Sequence, residues 1–345
     1  MEVQKRFEGA DGIRGLACLI VLFIHALALF FPGSLSAIIG TGKSGVWLFF
    51  VLSAFLLTSK FVKSGFSMYE NFSYCASRFL RIIPLFSVVV IFYYWQGMLG
   101  INTAQDLQNA LLLRQGFVHL WTIPVEFKFY AFLPFMAFFL IQSQKRHGDF
   151  AALLVALGMI AAQQYLWPYW ESEEVSVSPR WYLSCFTIGC YVAVTIDFYR
   201  RLISPRAATV IGLSVISLMV LSTPIMRNIV FGMPFDKWLM NKFLYVSFLW
   251  GVFIAALVDG KGIVGRFFKT TVMKKLGAWS FSIYLAHWQF YVVLGAAHTN
   301  SYLWMTIGMA CSIGFGAILH YSIEAPIEKF RHSIQKRFRP KALVA

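Results

Sequence analysis

An arginine and a histidine in the first apolar stretch are spaced so that they could act together. Arg14 lies at its start, within Asp-Gly-Ile-Arg-Gly, and His25 lies eleven residues further on. At about 100° per residue, an α-helix presents both side chains on one face, roughly 16 Å apart along its axis. A histidine deep in an apolar span is unfavourable unless it faces protein or water, which makes His25 a candidate functional residue. The alternative is a histidine that a neighbouring backbone carbonyl satisfies.

Two more arginines, Arg78 and Arg81, come directly before a long apolar run. Residues three apart share a helix face, and a helix predicted to begin at residue 81 would add the positive end of its dipole. Guanidinium groups bind phosphate oxygens through paired hydrogen bonds. Arg14, Arg78 and Arg81 therefore predict a site for a multiply phosphorylated ligand. The alternative is that these arginines only extend to the membrane surface.

A second polar cluster leads into a later apolar stretch. It contains His119, Trp121, Glu126 and Tyr130. If a helix begins just after Trp121, Glu126 lies about one turn inside it and Tyr130 follows one turn later on the same face. Glu126 and His25 would reach similar depths from opposite directions, so Glu126 could orient the imidazole for general-base chemistry. The alternative is a carboxylate that only favours the positive end of the helix dipole.

Two features near the end of the chain leave their roles open. Tyr284 and His287 are three residues apart and share a helix face. A second buried histidine invites a functional role, although packing and one hydrogen bond explain it equally well. Pro326, which follows Glu324 closely, is expected to end the last span.

The chain that holds these residues has the composition of an integral membrane protein. It is 59% hydrophobic and 13% charged, with a mean hydropathy of +0.66, whereas soluble domains are about 25% charged. Stretches near the ~20 apolar residues that cross a bilayer predict one all-α domain over residues 1–345, a single bundle of about ten transmembrane helices. The predicted spans are 13–31, 45–60, 81–96, 123–141, 150–167, 180–197, 207–223, 241–258, 278–296 and 302–322. The five cysteines show no spacing typical of a disulfide framework or a metal site.

The net charge of +15 is explained by membrane topology. When alternate connections are assigned to alternate sides, most of the 30 lysines and arginines fall on one side. The positive-inside rule then predicts that both termini are cytoplasmic. The tail, residues 328–345, is basic and suits the inner membrane surface. This distribution argues against nucleic-acid binding and indicates that these charges interact with the lipid bilayer.

In this order and topology, the segments resemble the acyltransferase-3 family of membrane acyltransferases, over most of the chain. The landmarks that carry the resemblance are Arg14 with His25 for the family's Arg/Lys-x10-His signature, Gly45-Val-x-x-Phe-Phe-Val-Leu-Ser-Ala-Phe for its second-helix motif, Arg78-x-x-Arg81, the block His119-x-Trp121 through Glu126 to Tyr130, Tyr284-Leu-x-His287, and Glu324-x-Pro326.

The resemblance implies transfer of an acyl group, usually acetyl, from cytoplasmic acetyl-CoA to a hydroxyl of an extracytoplasmic polysaccharide or glycolipid. It implies a multi-pass protein of the bacterial inner membrane that needs no metal. Arg14, Arg78 and Arg81 would bind the phosphates of CoA. His25 would be the general base, with Glu126 orienting it or assisting the acceptor. The residues expected to support the acceptor are His119, Trp121, Tyr130, Tyr284 and His287.

The chain departs from the family pattern, and a second class of function stays open. Ala54 replaces a usual glycine and Phe127 a frequent second glutamate, so Glu126 is the only acid of its block. We expect the chain to lack the extracytoplasmic SGNH hydrolase-like domain that is fused to some members. The alternative function is a carrier or flippase for a glycolipid or polyanion, with His25 and Glu126 as a proton relay. The sequence sets neither the acceptor nor an oligomeric state.

Overall fold

The computed structural model describes residues 7–338, and in this range the chain consists of helices and connecting turns, with no strand. The predicted all-α fold is confirmed. The helices are α1 (Ala10–Phe30), α2 (Leu35–Ile38), α3 (Thr41–Ser64), α4 (Met68–Trp95), α5 (Ala104–Leu111), α6 (Thr122–Leu166), α7 (Leu183–Val194), α8 (Ile196–Leu202), α9 (Pro205–Leu221), α10 (Pro224–Phe231), α11 (Phe243–Leu257), α12 (Gly262–Phe268), α13 (Thr271–Ala297), α14 (Tyr302–Leu319) and α15 (Ala325–Phe338). Of the predicted basic tail, residues 339–345 lie outside the described range.

Several helices are long and apolar enough to cross a membrane, as the composition predicts. Five qualify alone, and three pairs bent by 65°, 85° and 91° bring the number up to eight. The predicted spans 123–141 and 150–167 share α6, which is broken at Gly148, where φ is 83°. The predicted span 278–296 lies on α13, which is not among these candidates because serines and histidine make it more polar. The count of ten crossings and the cytoplasmic position of both termini remain predictions.

Glycines let α1 and α13 pack closely along their length. A Cβ on Gly277 of α13 would lie 1.7 Å from the carbonyl oxygen of Asp11 in α1. A Cβ on Gly15 of α1 would lie 2.7 Å from the carbonyl oxygen of Met273. Residues without a side chain permit such an approach of two backbones. This packing sets one face of α1 against the polar face of α13.

Small residues let α3 pack closely against two neighbouring helices. A Cβ on Gly45 would lie 2.7 Å from the carbonyl oxygen of Ala17 in α1. On the other side, a Cβ on Gly189 of α7 would lie 2.2 Å from the carbonyl oxygen of Val51 and 2.8 Å from the methyl group of Ala54. The glycine on α7 thus makes room for the methyl group of Ala54. Ala54 is the residue that replaces a usual glycine of the family pattern.

Helix α4 begins earlier than predicted. Its first residue is Met68, and the hydroxyl of the N-cap Ser67 accepts a hydrogen bond from the N–H of Glu70. Arg78 and Arg81 therefore lie inside the helix, about 15 Å or more past its start. The prediction that a helix N-terminus lies behind these arginines is wrong. The Ser-x-x-Glu pattern of Ser67 and Glu70, typical of a capping box, is the signal that marks the true start.

The chain stays helical through Pro326, so the predicted helix end there is wrong. After α14 the helix widens into a π-turn, His320–Glu324, and continues as α15, of which Pro326 is the second residue. Proline has no N–H to continue the i→i−4 ladder, and the wide turn directly before it accommodates this break. The turn directs Glu324 into the protein, where it is 7% exposed.

Candidate active site

A cavity of about 280 Å³ lies among α1, α3, α4, α6 and α13. The structure brings the three predicted phosphate-binding arginines together in this cavity and adds a lysine that the sequence analysis missed. Its polar lining is Arg14, Ser53, Lys60, Arg78, Arg81, Thr122, Glu126, Tyr130, Ser280 and Tyr284. We call this the cationic cavity.

Three of the four cations have a carboxylate partner. Arg14 Nη1 lies 3.2 Å from Asp11, Lys60 Nζ lies 3.6 Å from Glu70, and Arg81 Nη2 lies 3.9 Å from Glu324. Each of these carboxylates offsets the charge of its partner, so the fourth cation is the one without a paired carboxylate among the described residues.

Arg78 differs from the other three cations. Its guanidinium lies 5.9 Å from the centre of the Tyr130 ring, and its Nε is buried without a hydrogen-bond partner. Among residues 7–338 it has no carboxylate within ion-pair distance. Arg78 as a whole is half-buried. A partly desolvated cation without a counter-charge is stabilised by an anion that binds beside it, so Arg78 is the cation of the cavity with most to gain from a bound anion.

Glu324 is a site residue whose role the sequence analysis did not foresee. Its Oε2 accepts hydrogen bonds from Ser282 Oγ at 2.8 Å and lies 3.1 Å from His320 Nδ1, while Oε1 faces Arg81. π-Turns within α-helices occur frequently at functional sites. A carboxylate directly after a predicted apolar span, two residues before a proline, was the signal that could have found it.

Glu126 lies in the cationic cavity and does not pair with His25. Its Oε1 accepts hydrogen bonds from Ser53 Oγ at 2.6 Å and from Tyr130 Oη at 2.5 Å. The predicted contact between Glu126 and Tyr130 across one turn of helix is therefore present. The expected pairing of Glu126 with His25 is not, because α6 directs the carboxylate toward α3 and α4 whereas His25 faces α13.

The three predicted site histidines meet in one cluster. His25 Nδ1 lies 2.9 Å from His287 Nε2, and the two rings are parallel within 3° with centres 5.1 Å apart. The His119 ring lies 4.7 Å from that of His287 and stacks on Trp288 at 5.2 Å. His287 and His119 are buried, and His25 is partly exposed. Within the described part of the chain, no group of three or more His, Cys, Asp or Glu is arranged to hold a metal ion.

Backbone carbonyls of α13 hold two of these rings. His287 Nδ1 lies 2.7 Å from the carbonyl oxygen of Tyr284, and His119 Nε2 lies 3.4 Å from that of Leu285. The Nδ1 of His119 is buried without a partner. The sequence singled out each histidine separately, but Trp288, which contacts both His25 and His119, was missed.

Tyr284 lies between the cationic cavity and the histidine cluster. Its side chain lines the cavity, while its hydroxyl donates to the carbonyl oxygen of His119 and accepts from Thr122 Oγ1 at 2.9 Å. Its ring centre is 5.4 Å from that of His119. Trp121 is 5% exposed and packs against Phe50 and Tyr182, which are not part of the histidine cluster. Trp121 was predicted to support the acceptor, but it makes no contact with the histidine cluster.

Comparison with known proteins identifies the family. The model of an acyltransferase domain matches residues 7–321, and the chain belongs to the acyltransferase-3 family. It is similar to "O-acetyltransferase OatA" of Staphylococcus aureus strains NCTC 8325, COL and MRSA252, each 22% identical over 363 aligned positions. The alignment covers 95% of this chain, which spans 58% of the length of those curated relatives. No solved structure matches the chain significantly.

Proposed function

We propose that this protein is a transmembrane O-acetyltransferase that moves an acetyl group from acetyl-CoA to a hydroxyl of an extracytoplasmic polysaccharide or glycolipid. The observation that carries the proposal is that Tyr284 lines the cationic cavity while its ring contacts His119 of the histidine cluster. A site for a phosphorylated donor and a base for a hydroxyl acceptor would then lie on either side of one tyrosine. Membership of the acyltransferase-3 family and similarity to an O-acetyltransferase support the same reaction.

In this proposal the phosphates of CoA bind Arg14, Arg78 and Arg81. Guanidinium groups suit phosphate because they donate paired hydrogen bonds, and Arg78 lacks a counter-charge among the described residues. The side chain of Lys60 is 39% exposed, more than those of Arg14 and Arg81, and the nucleotide would remain near it. The pantetheine arm would extend along the cavity toward Tyr284.

His25 acts as the general base. It takes the proton of the acceptor hydroxyl as the oxygen attacks the thioester carbonyl; the acetyl C–S bond breaks as the C–O bond forms, and the proton then passes to the CoA thiolate. General-base assistance contributes typically ~10²–10⁴-fold. The rest of the acceleration would come from holding donor and acceptor together inside the bundle. Glu126, bonded to Ser53 and Tyr130, serves the donor side.

The reaction would cross the bacterial inner membrane. The predicted topology places the cations of the cavity toward the cytoplasm, where acetyl-CoA is made, and His25 toward the outer half of the membrane. A donor that reaches from one side and an acceptor that arrives from the other would meet near Tyr284. This arrangement explains why a membrane-embedded histidine is combined with a cationic cavity in one bundle.

Purified protein in proteoliposomes tests the proposal. Acetyl-CoA labelled in its acetyl group is supplied together with cell-surface polysaccharide from a strain that lacks the gene. We expect label on the polysaccharide with the wild type and a loss of at least ~100-fold with His25→Ala, in keeping with the contribution of a general base. His147→Ala, a change of an exposed histidine, is the matched control and keeps activity.

The same assay separates the alternative function. If acetyl never leaves CoA while a glycolipid or polyanion crosses the membrane, the protein is a carrier and the enzyme proposal fails. If label transfer proceeds unchanged in His25→Ala, the protein is a transferase but His25 is not its base.

A further inference from the structure

The hydrogen bonds of His287 identify which of its ring nitrogens carries hydrogen. Its Nδ1 lies 2.7 Å from the backbone carbonyl oxygen of Tyr284. A carbonyl oxygen only accepts, so the hydrogen is on Nδ1. His287 is fully buried, and among the described residues it has no carboxylate partner, so the neutral ring is the stable form. A neutral imidazole has one N–H, and Nε2 of His287 is therefore an acceptor.

The same reasoning extends to His25. The acceptor Nε2 of His287 lies 2.9 Å from Nδ1 of His25. Nδ1 of His25 must donate, which leaves the lone pair of neutral His25 on Nε2. A backbone carbonyl, one imidazole and a second imidazole thus form a directed chain that ends at an unprotonated nitrogen. The hydrogen bond that one ring nitrogen makes determines what the other can do.

Nε2 of His25 faces the first turn of α3. The position that a Cβ on Gly42 would occupy is 3.9 Å from this nitrogen and 3.3 Å from Cγ2 of Ile24. His25 is partly exposed, and its Nε2 is not among the buried atoms without a partner. The unprotonated nitrogen of His25 therefore points toward a residue without a side chain, on the other edge of the ring from the nitrogen that contacts His287.

We propose that His287 is a positioning residue: it holds His25 with its hydrogen on Nδ1, so that Nε2 takes the acceptor proton, and the acceptor hydroxyl arrives beside Gly42. This rests on the proposed function. The hydroxyl proton moves to Nε2 as the acetyl C–O bond forms and the C–S bond breaks. The imidazolium keeps donating through Nδ1 to His287 and then delivers the Nε2 proton to the CoA thiolate. His287 itself stays neutral throughout.

Two substitutions at residue 287 test this role in proteoliposomes. The side-chain oxygen in His287→Gln can still accept from His25 Nδ1, whereas the apolar chain in His287→Leu cannot. The probe is release of CoA from acetyl-CoA with water or glycerol as the acceptor. We expect His287→Leu to lower kcat by about 100-fold, within the range of general-base effects, and to leave the KM for acetyl-CoA unchanged. His287→Gln should keep kcat within about tenfold, because the amide oxygen still accepts from Nδ1 of His25.

Nitrogen-15 NMR of histidine-labelled protein provides a readout that a purely structural role would not move. The difference spectrum against His25→Ala identifies the ring signals of His25. We expect hydrogen on Nδ1 in the wild type and in His287→Gln, and a mixture of tautomers in His287→Leu. Hydrogen on Nε2 of His25 in the wild type would overturn the proposal, even if His287→Leu failed to fold.

The access route is tested by the size of residue 42. We expect Gly42→Val to lower transfer to polysaccharide by at least about tenfold, while hydrolysis of acetyl-CoA by water continues, because a small acceptor still fits. Gly33→Val is the matched control, since a Cβ there meets no atom within 4 Å. Equal losses with both acceptors would place the route elsewhere.

The outcomes separate this inference from the proposed function. Full activity of His25→Ala would refute the function of His25 as the base. An inactive His25→Ala together with wild-type kcat in His287→Leu would leave that function standing and refute the role of His287.

Discussion

Arg78 carries the least compensated charge of the cationic cavity. It rests on the Tyr130 ring, its Nε has no hydrogen-bond partner, and no carboxylate in the described range pairs with it. Arg78 is half-buried, so solvent screens part of its charge, and the missing counter-charge costs less than the several kcal/mol of a fully buried unpaired ion. A phosphate bound beside Arg78 would supply that counter-charge.

Replacing Arg78 with glutamine should weaken donor binding without weakening the fold. A hydrogen bond to a charged group contributes about 1.5–3 kcal/mol, so Arg78→Gln should raise the KM for acetyl-CoA about 10- to 100-fold. Thermal unfolding without ligand should be unchanged or shifted upward, because an unpaired, half-buried charge is removed. Arg227→Gln is the control, since Arg227 pairs with Asp236 at 2.7 Å outside the cavity and its loss should leave the KM unaltered. A wild-type KM in Arg78→Gln would remove this residue from the donor site.

The spacing of residues in the sequence identified the site residues better than it identified the residues that they contact. The contact between Glu126 and Tyr130 follows from helix geometry alone. His25 and His287 are 262 residues apart in the chain, and their meeting depends on how closely α1 approaches α13. Glu126 was expected to orient His25, but the rotation of α6 about its axis directs it to Ser53 instead. Sequence patterns contain no information on that rotation, so the site was predicted as residues and not as contacts.

The π-turn between α14 and α15 is the element that positions Arg81. It places Glu324 so that one oxygen accepts from Ser282 and the other faces the guanidinium at 3.9 Å. A regular α-helix would rotate residue 324 relative to the cavity, because each residue turns the helix by about 100°. The wide turn thus sets the direction of a cation in the proposed donor site.

Glu324→Gln should therefore act on donor binding through Arg81. The amide keeps a hydrogen bond with Ser282 but loses the charge that restrains Arg81, and we expect a fivefold to tenfold rise in the KM for acetyl-CoA, or about 1–1.4 kcal/mol, with kcat little changed. Glu328→Gln, one turn further along and paired with Arg331, is the matched control. An unchanged KM in Glu324→Gln, or an equal effect of both substitutions, would speak against a positioning role.

The close contact of α1 with α13 predicts a sharp effect of one methyl group. A Cβ at Gly277 would lie 1.7 Å from the carbonyl oxygen of Asp11, so Gly277→Ala must push the helices apart. Overpacking of this kind destabilises by typically ~1–3 kcal/mol, and separation of the helices should also lower activity because His25 and His287 move apart. Gly158→Ala on α6, where nothing lies within 4 Å, should be neutral. Thermal unfolding in detergent, with acetyl-CoA turnover, measures both effects; a stable and active Gly277→Ala would contradict the packing.

The bundle was predictable as a class, and its bends were not. Each predicted span lies on a helix of the structure, because a segment that crosses lipid needs a long apolar stretch with its backbone hydrogen bonds satisfied internally. Hydropathy contains no information about bends. The 91° bend between α11 and α12 was therefore not predicted. Hydropathy also underestimates α13, whose histidine and serines serve the site and make it polar. The helix that carries Tyr284 and His287 is thus one that hydropathy alone does not mark as a membrane span.

Orientation in the membrane is the property on which donor and acceptor access depends, and cysteine labelling tests it. In a variant whose five natural cysteines are replaced, His147→Cys lies at a predicted cytoplasmic connection and Thr299→Cys at a predicted outer one; both positions are exposed. Because lysine and arginine are retained on the cytoplasmic side, a membrane-impermeant maleimide added to intact cells should label Thr299→Cys alone, and both after permeabilisation. Labelling of His147→Cys in intact cells would place the connections predicted to be cytoplasmic, with Lys60, outside the cell. Cytoplasmic acetyl-CoA does not reach that side, so the proposed direction of transfer would then be wrong.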